Sequence, residues 1–166
     1  MNMNMNVVKS LEQFNENNVY FCEPIKNNVM NDGNFFRIFY SNHLFTLNGI
    51  YLLIPFNDFY LEKYYNKYKC NFNGNAYMET INKIKQIEEL ILSKIEIKNK
   101  LAQYKIYGQL KCNYVKVFQE KQINPGSNLI LKISGIWENA THYGITYKFM
   151  CGSMNKIHLH KNNLIY

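Results

Sequence analysis

The sequence predicts a β-rich α+β fold, a small barrel of five to six strands with one long helix between the third and fourth strands. Two observations indicate this class. Apolar and polar residues alternate in 129–134 and again in 143–149, which is typical of strands with one buried face. Isoleucine instead recurs every three or four residues in 76–98, which is typical of an amphipathic helix.

One domain is expected to follow a short N-terminal arm. The 166 residues are enough to bury a hydrophobic core without disulfides or metals. Residues 1–18 are rich in asparagine and lack hydrophobic periodicity, so we expect a flexible arm there and a single OB-like domain over 19–166. The domain begins with a short strand at 19–22, which Pro24 ends.

Three apolar segments then predict strands. Residues 35–40 alternate strongly, and one face of this strand carries an aromatic, a basic and an aromatic side chain: Phe35, Arg37 and Phe39. Residues 44–47 and 50–54 follow on either side of Asn48-Gly49, which is a strong signal for a turn or a bulge.

The second half of the chain predicts helix and then strand. Residues 58–68 carry tyrosine and lysine at helical spacing, so we expect a helix there before the long helix of 76–98. Residues 104–118 return to strand character, and a change of parity predicts one long, sharply bent strand. A hairpin over 129–150 and a last short strand within 152–166 complete the chain. Strands on both sides of a central helix have the element order of an OB-fold, so the predicted barrel is OB-fold-like.

Composition and charge narrow the classes of function. The chain has 19 basic and 12 acidic residues, and its net charge of +7 attracts phosphate groups in a salt-dependent way. Lysine and asparagine are enriched as in an AT-rich coding sequence, which weakens the argument from charge. No apolar run reaches the roughly 20 residues of a membrane helix, no signal peptide precedes the domain, and the four cysteines form no CxxC pair. We therefore expect a cytoplasmic protein.

Motifs of catalysis are missing from the sequence. It contains no GxSxG elbow, no P-loop and no glycine pattern of a dinucleotide-binding fold. The glutamates of 76–98 alternate with lysines, which is typical of a solvated helix face. We expect a protein that is not an enzyme and that needs no cofactor.

One group of metal-ligating residues lies near the C-terminal end. Cys151, His158 and His160 are close in sequence, and zinc would take a fourth ligand from Cys112 or His142. Their spacing matches no common zinc module. We therefore expect a packed cysteine, solvent-facing histidines and no bound metal.

Binding of a nucleic acid has the most support from the residues. Single strands are held by basic grooves and by aromatic rings on which bases stack. Such side chains alternate in the predicted strands at 35–40 and 104–118, and lysines accompany them in the hairpin. The candidate contacts are Phe35, Arg37, Phe39, Lys105, Tyr107, Lys111, Lys132, Trp137 and Lys148.

A second interpretation of the aromatic residues stays open. Phe35 and Phe39 would pack beneath the arm or the tyrosine-rich segment 58–68, since strand aromatics often belong to a core. Trp137 shares parity with the apolar residues of its strand but precedes a polar loop, so we expect it to be partly buried.

Residues 35–56 and 131–149, about a quarter of the chain, resemble single-stranded DNA-binding proteins of large cytoplasmic DNA viruses and of yeast linear cytoplasmic plasmids. The resemblance implies Gly135-Ile136-Trp137 and residues 144–149 as a signature of an OB-type fold. It also implies DNA contacts at the basic and aromatic residues nearby. Many replicative single-strand binders end in an acidic tail, whereas this sequence ends in HLHKNNLIY, which puts recruitment of partners by that route in doubt.

These arguments predict a protein that coats single-stranded DNA during viral or plasmid DNA replication. Its partners would be single-stranded DNA and replication proteins, with RNA and a second copy of the chain as further possibilities. The alternative is a structural or assembly subunit of a viral or plasmid complex, in which the aromatic residues form a protein interface.

Overall fold

Strands are the main regular structure of the described residues. The structure, a computed structural model, describes residues 7–27, 29, 32–118 and 127–152. Within these ranges eleven strands join into one mixed sheet. They are β1 (Val19–Phe21), β2 (Ile25–Lys26), β3 (Asn34–Ser41), β4 (Thr46–Asn48), β5 (Ile50–Ile54), β6 (Phe59–Tyr64), β7 (Lys67–Phe72), β8 (Leu101–Gln103), β9 (Tyr114–Phe118), β10 (Asn128–Glu138) and β11 (His142–Gly152).

Two α-helices lie in the same ranges, α1 (Met78–Ser93) and α2 (Lys105–Leu110). The isoleucine pattern of 76–98 predicts α1, and this prediction is confirmed. Ile84, Ile91 and Leu92 on its apolar stripe are at most 2% exposed, so the stripe belongs to the core.

A long hairpin forms the centre of the sheet. β10 and β11 pair antiparallel over their full length, with a bulge between Ile133 and Gly135. The second edge of β10 is shared, because β5 pairs with its first half and β3 with its second half. The second edge of β11 pairs in parallel with β8 and with β9, and α2 lies between these two strands in the chain.

One face of the sheet packs against the core. Leu131, Ile133 and Phe149 project to this side, and each is at most 1% exposed. They belong to the same apolar cluster as the stripe of α1. We call this side the inner face and the opposite side the outer face.

The prediction of an OB-fold-like barrel of five to six strands is wrong. The strand order is β1-β3-β10-β11-β9-β7-β6, so the sheet starts and ends on different strands and stays open. The predicted closure depended on one long bent strand over 104–118. In the structure α2 interrupts that segment, and β9 begins only at Tyr114. The segment therefore runs along one edge of β11 and does not close a barrel.

The prediction of a helix over 58–68 is also wrong. This segment forms β6 and the start of β7, which pair as a hairpin around Tyr65 and Asn66. Tyrosine is a good strand former, and the segment lacks the apolar stripe that a helix would bury. The turn places Tyr65 at a φ of 53°, in the left-handed region.

The remaining predictions concern three strands, the N-terminal arm and the C-terminal strand. The strands predicted at 19–22, 35–40 and 50–54 are confirmed as β1, β3 and β5. Val7, Val8 and Leu11 are at most 5% exposed, so the flexible arm that we expected over 1–18 does not include these packed residues. Residues 1–6 and 153–166, with the last predicted strand, lie outside the described residues.

Candidate nucleic-acid interface

The register of the central strands decides which candidate side chains share a face. Directly paired residues project to the same side of a sheet. Three such pairs lie on the outer face, opposite the buried stripe: Lys132 with Lys148, Trp137 with Phe35, and Gly135 with Arg37. Phe39 joins them by alternation along β3.

Seven of the nine predicted contacts therefore come together on three adjacent strands and α2. Lys105 joins from the start of α2, where its Nζ lies 4.5 Å from the centroid of the Trp137 ring. We call this surface the basic aromatic face, and it consists of Phe35, Arg37, Phe39, Lys105, Lys132, Trp137 and Lys148.

Two glycines leave room for the aromatic rings against the sheet. A Cβ at Gly135 would come 2.5 Å from Cζ of Phe35, and a Cβ at Gly144 would come 3.0 Å from Cζ2 of Trp137. Each ring thus occupies space that any other residue would fill at the glycine. The backbone is close as well, because the same Cβ would come still closer to the carbonyl oxygen of Phe36 at Gly135, and 3.0 Å from that of Gln103 at Gly144. Ring packing and backbone approach together therefore favour glycine at both positions.

Trp137 is the most enclosed member of the face, with 8% of its surface exposed. Its indole lies between Gly144 below and the Lys105 ammonium above. A groove of about 450 Å³ opens beside the ring and is lined by Phe35, Lys105, Trp137 and Thr146, among others. Movement of the flexible Lys105 side chain would therefore give a ligand access to the indole.

Lys132 and Arg37 have local partners, and Lys148 with them keeps access to solvent. Lys132 Nζ lies 5.1 Å from the centroid of the Tyr51 ring, which holds the ammonium over the sheet. Arg37 donates a hydrogen bond from Nη1 to Oδ1 of Asn48 at 3.2 Å. Arg37 and Lys148 are exposed, and Lys132 is half-buried.

Glu138, next to Trp137, points to the inner face and so does not cancel this positive charge. Its carboxylate accepts hydrogen bonds from Asn34 Nδ2 and Lys100 Nζ, both at 2.6 Å. Burial raises the pKa of Glu138, but these hydrogen bonds and the Lys100 charge outweigh it, so the pKa lies below its usual value. The carboxylate links β3, β10 and the segment before β8.

Glu88 of α1 fixes the position of α2 and so of Lys105. Tyr104, which precedes α2, makes no capping hydrogen bond with its side chain. Glu88 instead accepts from the backbone N–H groups of Ile106 at 3.0 Å and Tyr107 at 2.8 Å. Burial raises the pKa of Glu88, although these N–H groups favour the carboxylate.

Tyr107 and Lys111, the other two predicted contacts, lie apart from the basic aromatic face. The prediction placed Lys105 and Tyr107 on one face of a strand, but both lie in the helix α2. Two residues apart, helical side chains point to nearly opposite sides. The ammonium groups of Lys85 and Lys111 lie 5.2 Å and 5.4 Å from the Tyr107 ring centroid, so this cluster is next to α1.

Tyr51 is a further outer-face residue, next to Lys132, that the sequence did not single out. It pairs with Lys132 and so shares the outer face. The run of apolar residues in 50–54 gives no alternation that separates two faces, so only the pairing with β10 reveals its side. A second group of outer-face residues lies on β6, β7 and β9. The sequence did not reveal it, because β6 and the start of β7 were predicted as a helix.

The expected lack of a metal site stays a prediction. Within the ranges that the structure describes, no group of three or more histidine, cysteine or acidic residues is arranged to hold a metal. Cys151 is buried, and burial raises the pKa of its thiol to about 11. His158 and His160 lie outside the described residues.

Comparison of the chain with protein-family models, with curated proteins and with solved structures finds no match. The resemblance to viral and plasmid single-stranded DNA-binding proteins therefore stays a prediction. Neither helix among the described residues is long and apolar enough to span a bilayer.

Proposed function

We propose that this protein binds single-stranded nucleic acid, and specifically single-stranded DNA, across the basic aromatic face. The protein would coat the strand during replication of a viral or plasmid genome in the cytoplasm. The observation that carries the proposal is the register of β3, β10 and β11. It joins three aromatic and three basic candidates on one outer surface, and the contact of Lys105 with Trp137 adds a fourth basic residue.

The chemistry of the face matches the two needs of single-strand binding. Arg37, Lys132 and Lys148 offer cations to the phosphates, and each contact releases a counterion. Phe35 and Phe39 are half-buried on the outer face, which leaves part of each ring for stacking. One stacked base contributes about 1–3 kcal/mol.

Lys105 and Trp137 would act together when a strand binds. The ammonium covers the indole in the structure, at 4.5 Å from the ring centroid. A phosphate nearby would attract Lys105 and uncover the ring for a base. Exchange of a cation–π contact for an ion pair and a stacked base keeps both groups paired.

A protein interface of an assembly subunit explains the face less well. Interface centres are depleted in lysine, because a buried ammonium must lose its water. The basic aromatic face has three lysines and one arginine among seven residues. RNA offers the same phosphates and bases as DNA, so it is the closest competitor.

Titration of labelled oligonucleotides of one sequence and length tests the proposal, with single-stranded DNA, duplex DNA and single-stranded RNA compared at two salt concentrations. We expect at least about fivefold tighter binding of single-stranded than of duplex DNA, because even one stacked base supplies about 1–3 kcal/mol. Equal affinity for duplex and single strand would contradict stacking on this face. Tighter binding of RNA would transfer the proposal from DNA to RNA.

A further inference from the structure

The outer face continues beyond β11 onto the strands β9, β7 and β6. Cross-strand pairing places Tyr64 opposite Lys67 and Glu62 opposite Lys69. The same lysines pair on their other side with Phe118 and Lys116 of β9. Residues that alternate with this set, such as Cys70 and Val115, are fully buried, so the set projects outward.

Aromatic rings and lysines alternate on this second surface, which we call the hairpin face. Its rings are unusually exposed, with Tyr60 at 67%, Tyr64 at 64% and Phe118 at 56%. Lys67 Nζ lies 4.7 Å from the Phe118 ring centroid, and Lys69 Nζ lies 4.6 Å from that of Tyr114. The arrangement repeats that of Lys105 over Trp137 and of Lys132 over Tyr51.

The two surfaces are continuous. Phe149 of β11 pairs with Val117 of β9, and both residues are buried on the inner face. Their outward neighbours Lys148, Lys116 and Phe118 therefore share the outer side. These three residues also line one groove between β11 and β9, of about 370 Å³. Lys148 thus belongs to the basic aromatic face and borders the hairpin face.

We propose that a single strand of nucleic acid crosses from the basic aromatic face, past Lys148, onto the hairpin face. This inference rests on the proposed function and adds a second half to the binding site. β10 and β7 are three strand positions apart in the sheet, which is about 15 Å at the usual strand spacing. One single-stranded nucleic acid therefore reaches both surfaces along a continuous path.

Charge favours a polyanion as the occupant of the hairpin face. Lys67, Lys69 and Lys116 face one acidic residue, Glu62, which leaves an excess of positive charge. Partly exposed rings beside ammonium groups are the combination that single-strand binders use. A second copy of the chain is the other occupant to test, because β6 is the last strand in the sheet order.

The test uses the Lys69→Gln/Lys116→Gln double variant, which neutralises two directly paired lysines of the hairpin face. The matched control is Lys94→Gln/Lys98→Gln, which removes two exposed charges from the segment that follows α1. Affinity for labelled single strands of increasing length is measured for each protein over a salt series. Thermal melting confirms that each variant is folded.

For the hairpin-face variant we expect weaker binding of long oligonucleotides and a salt slope flatter by about 1.4, or roughly 0.7 per lost contact. The affinity of each protein should rise with oligonucleotide length up to a limit. This limit should be reached at a shorter length in the variant than in the wild type. Wild-type affinity and slope in a folded variant would overturn the inference but leave the proposed function in place. A changed oligomeric state with unchanged binding would overturn it in favour of a protein contact. A wild-type protein that binds no single strand would overturn both.

Discussion

Replacement of Lys132 and Lys148 by alanine is expected to weaken single-strand binding for every sequence and to flatten its salt dependence. The two residues pair directly across β10 and β11 and project to the outer face. Loss of two phosphate contacts should reduce the slope of log affinity against log salt by about 1.4, or roughly 0.7 per contact. The measurement is a salt series with a labelled oligonucleotide.

Two controls separate this effect from others. Lys94→Ala/Lys98→Ala removes the same charge elsewhere and should leave the slope unchanged. Phe39→Ala should cost about 1–3 kcal/mol of binding with a nearly unchanged slope, because it removes stacking and not charge. If Phe39 is a packing residue instead, this variant will melt at a lower temperature and bind normally. Unchanged binding in both the lysine pair and Phe39 variants would place the nucleic acid on another surface.

Replacement of Glu88 by alanine is expected to have the largest effect on stability. Glu88 is fully buried and accepts two hydrogen bonds from the start of α2. Without it, the N–H groups of Ile106 and Tyr107 lose their acceptor, at a cost of about 1–3 kcal/mol each. The melting temperature should fall by on the order of 10 °C. Thermal unfolding followed by circular dichroism measures the fall.

The pH dependence of this effect has a defined sign. Because the pKa of Glu88 in the folded protein is raised from 4.5, its contribution to stability is complete below 4.5 and decreases as the pH rises through the raised value. The difference in unfolding free energy between wild type and Glu88→Gln should therefore decrease with rising pH.

A Glu88→Ala protein that melts like wild type would show that α2 does not depend on this carboxylate.

Hydrophobic periodicity was sufficient to predict the elements that bury one face. α1 has a stripe of isoleucines, and β3, β10 and β11 alternate, so their positions could be predicted from the sequence. These are local patterns, and each is fixed by burial of one side of a single element.

The elements that were predicted wrongly depend on contacts with residues distant in sequence. α2 has only six residues, and its first turn is capped by Glu88, which lies 18 residues before Ile106. β6 is an edge strand whose tyrosines are exposed, so it lacks the burial pattern that distinguishes a strand from a helix. The contact of Lys105 with Trp137 follows from the placement of α2. The hairpin face follows from pairing of β7 with β9.

The fluorescence of Trp137 tests the central claim most directly. It is the one tryptophan in the sequence, and it lies in the middle of the basic aromatic face beneath Lys105. Unlabelled single-stranded DNA is titrated into the protein, with excitation at a wavelength that tyrosine does not absorb. We expect a saturable change in emission that follows the binding curve of a labelled strand and is reversed by salt. Binding of the labelled strand with no change in Trp137 emission would contradict the account.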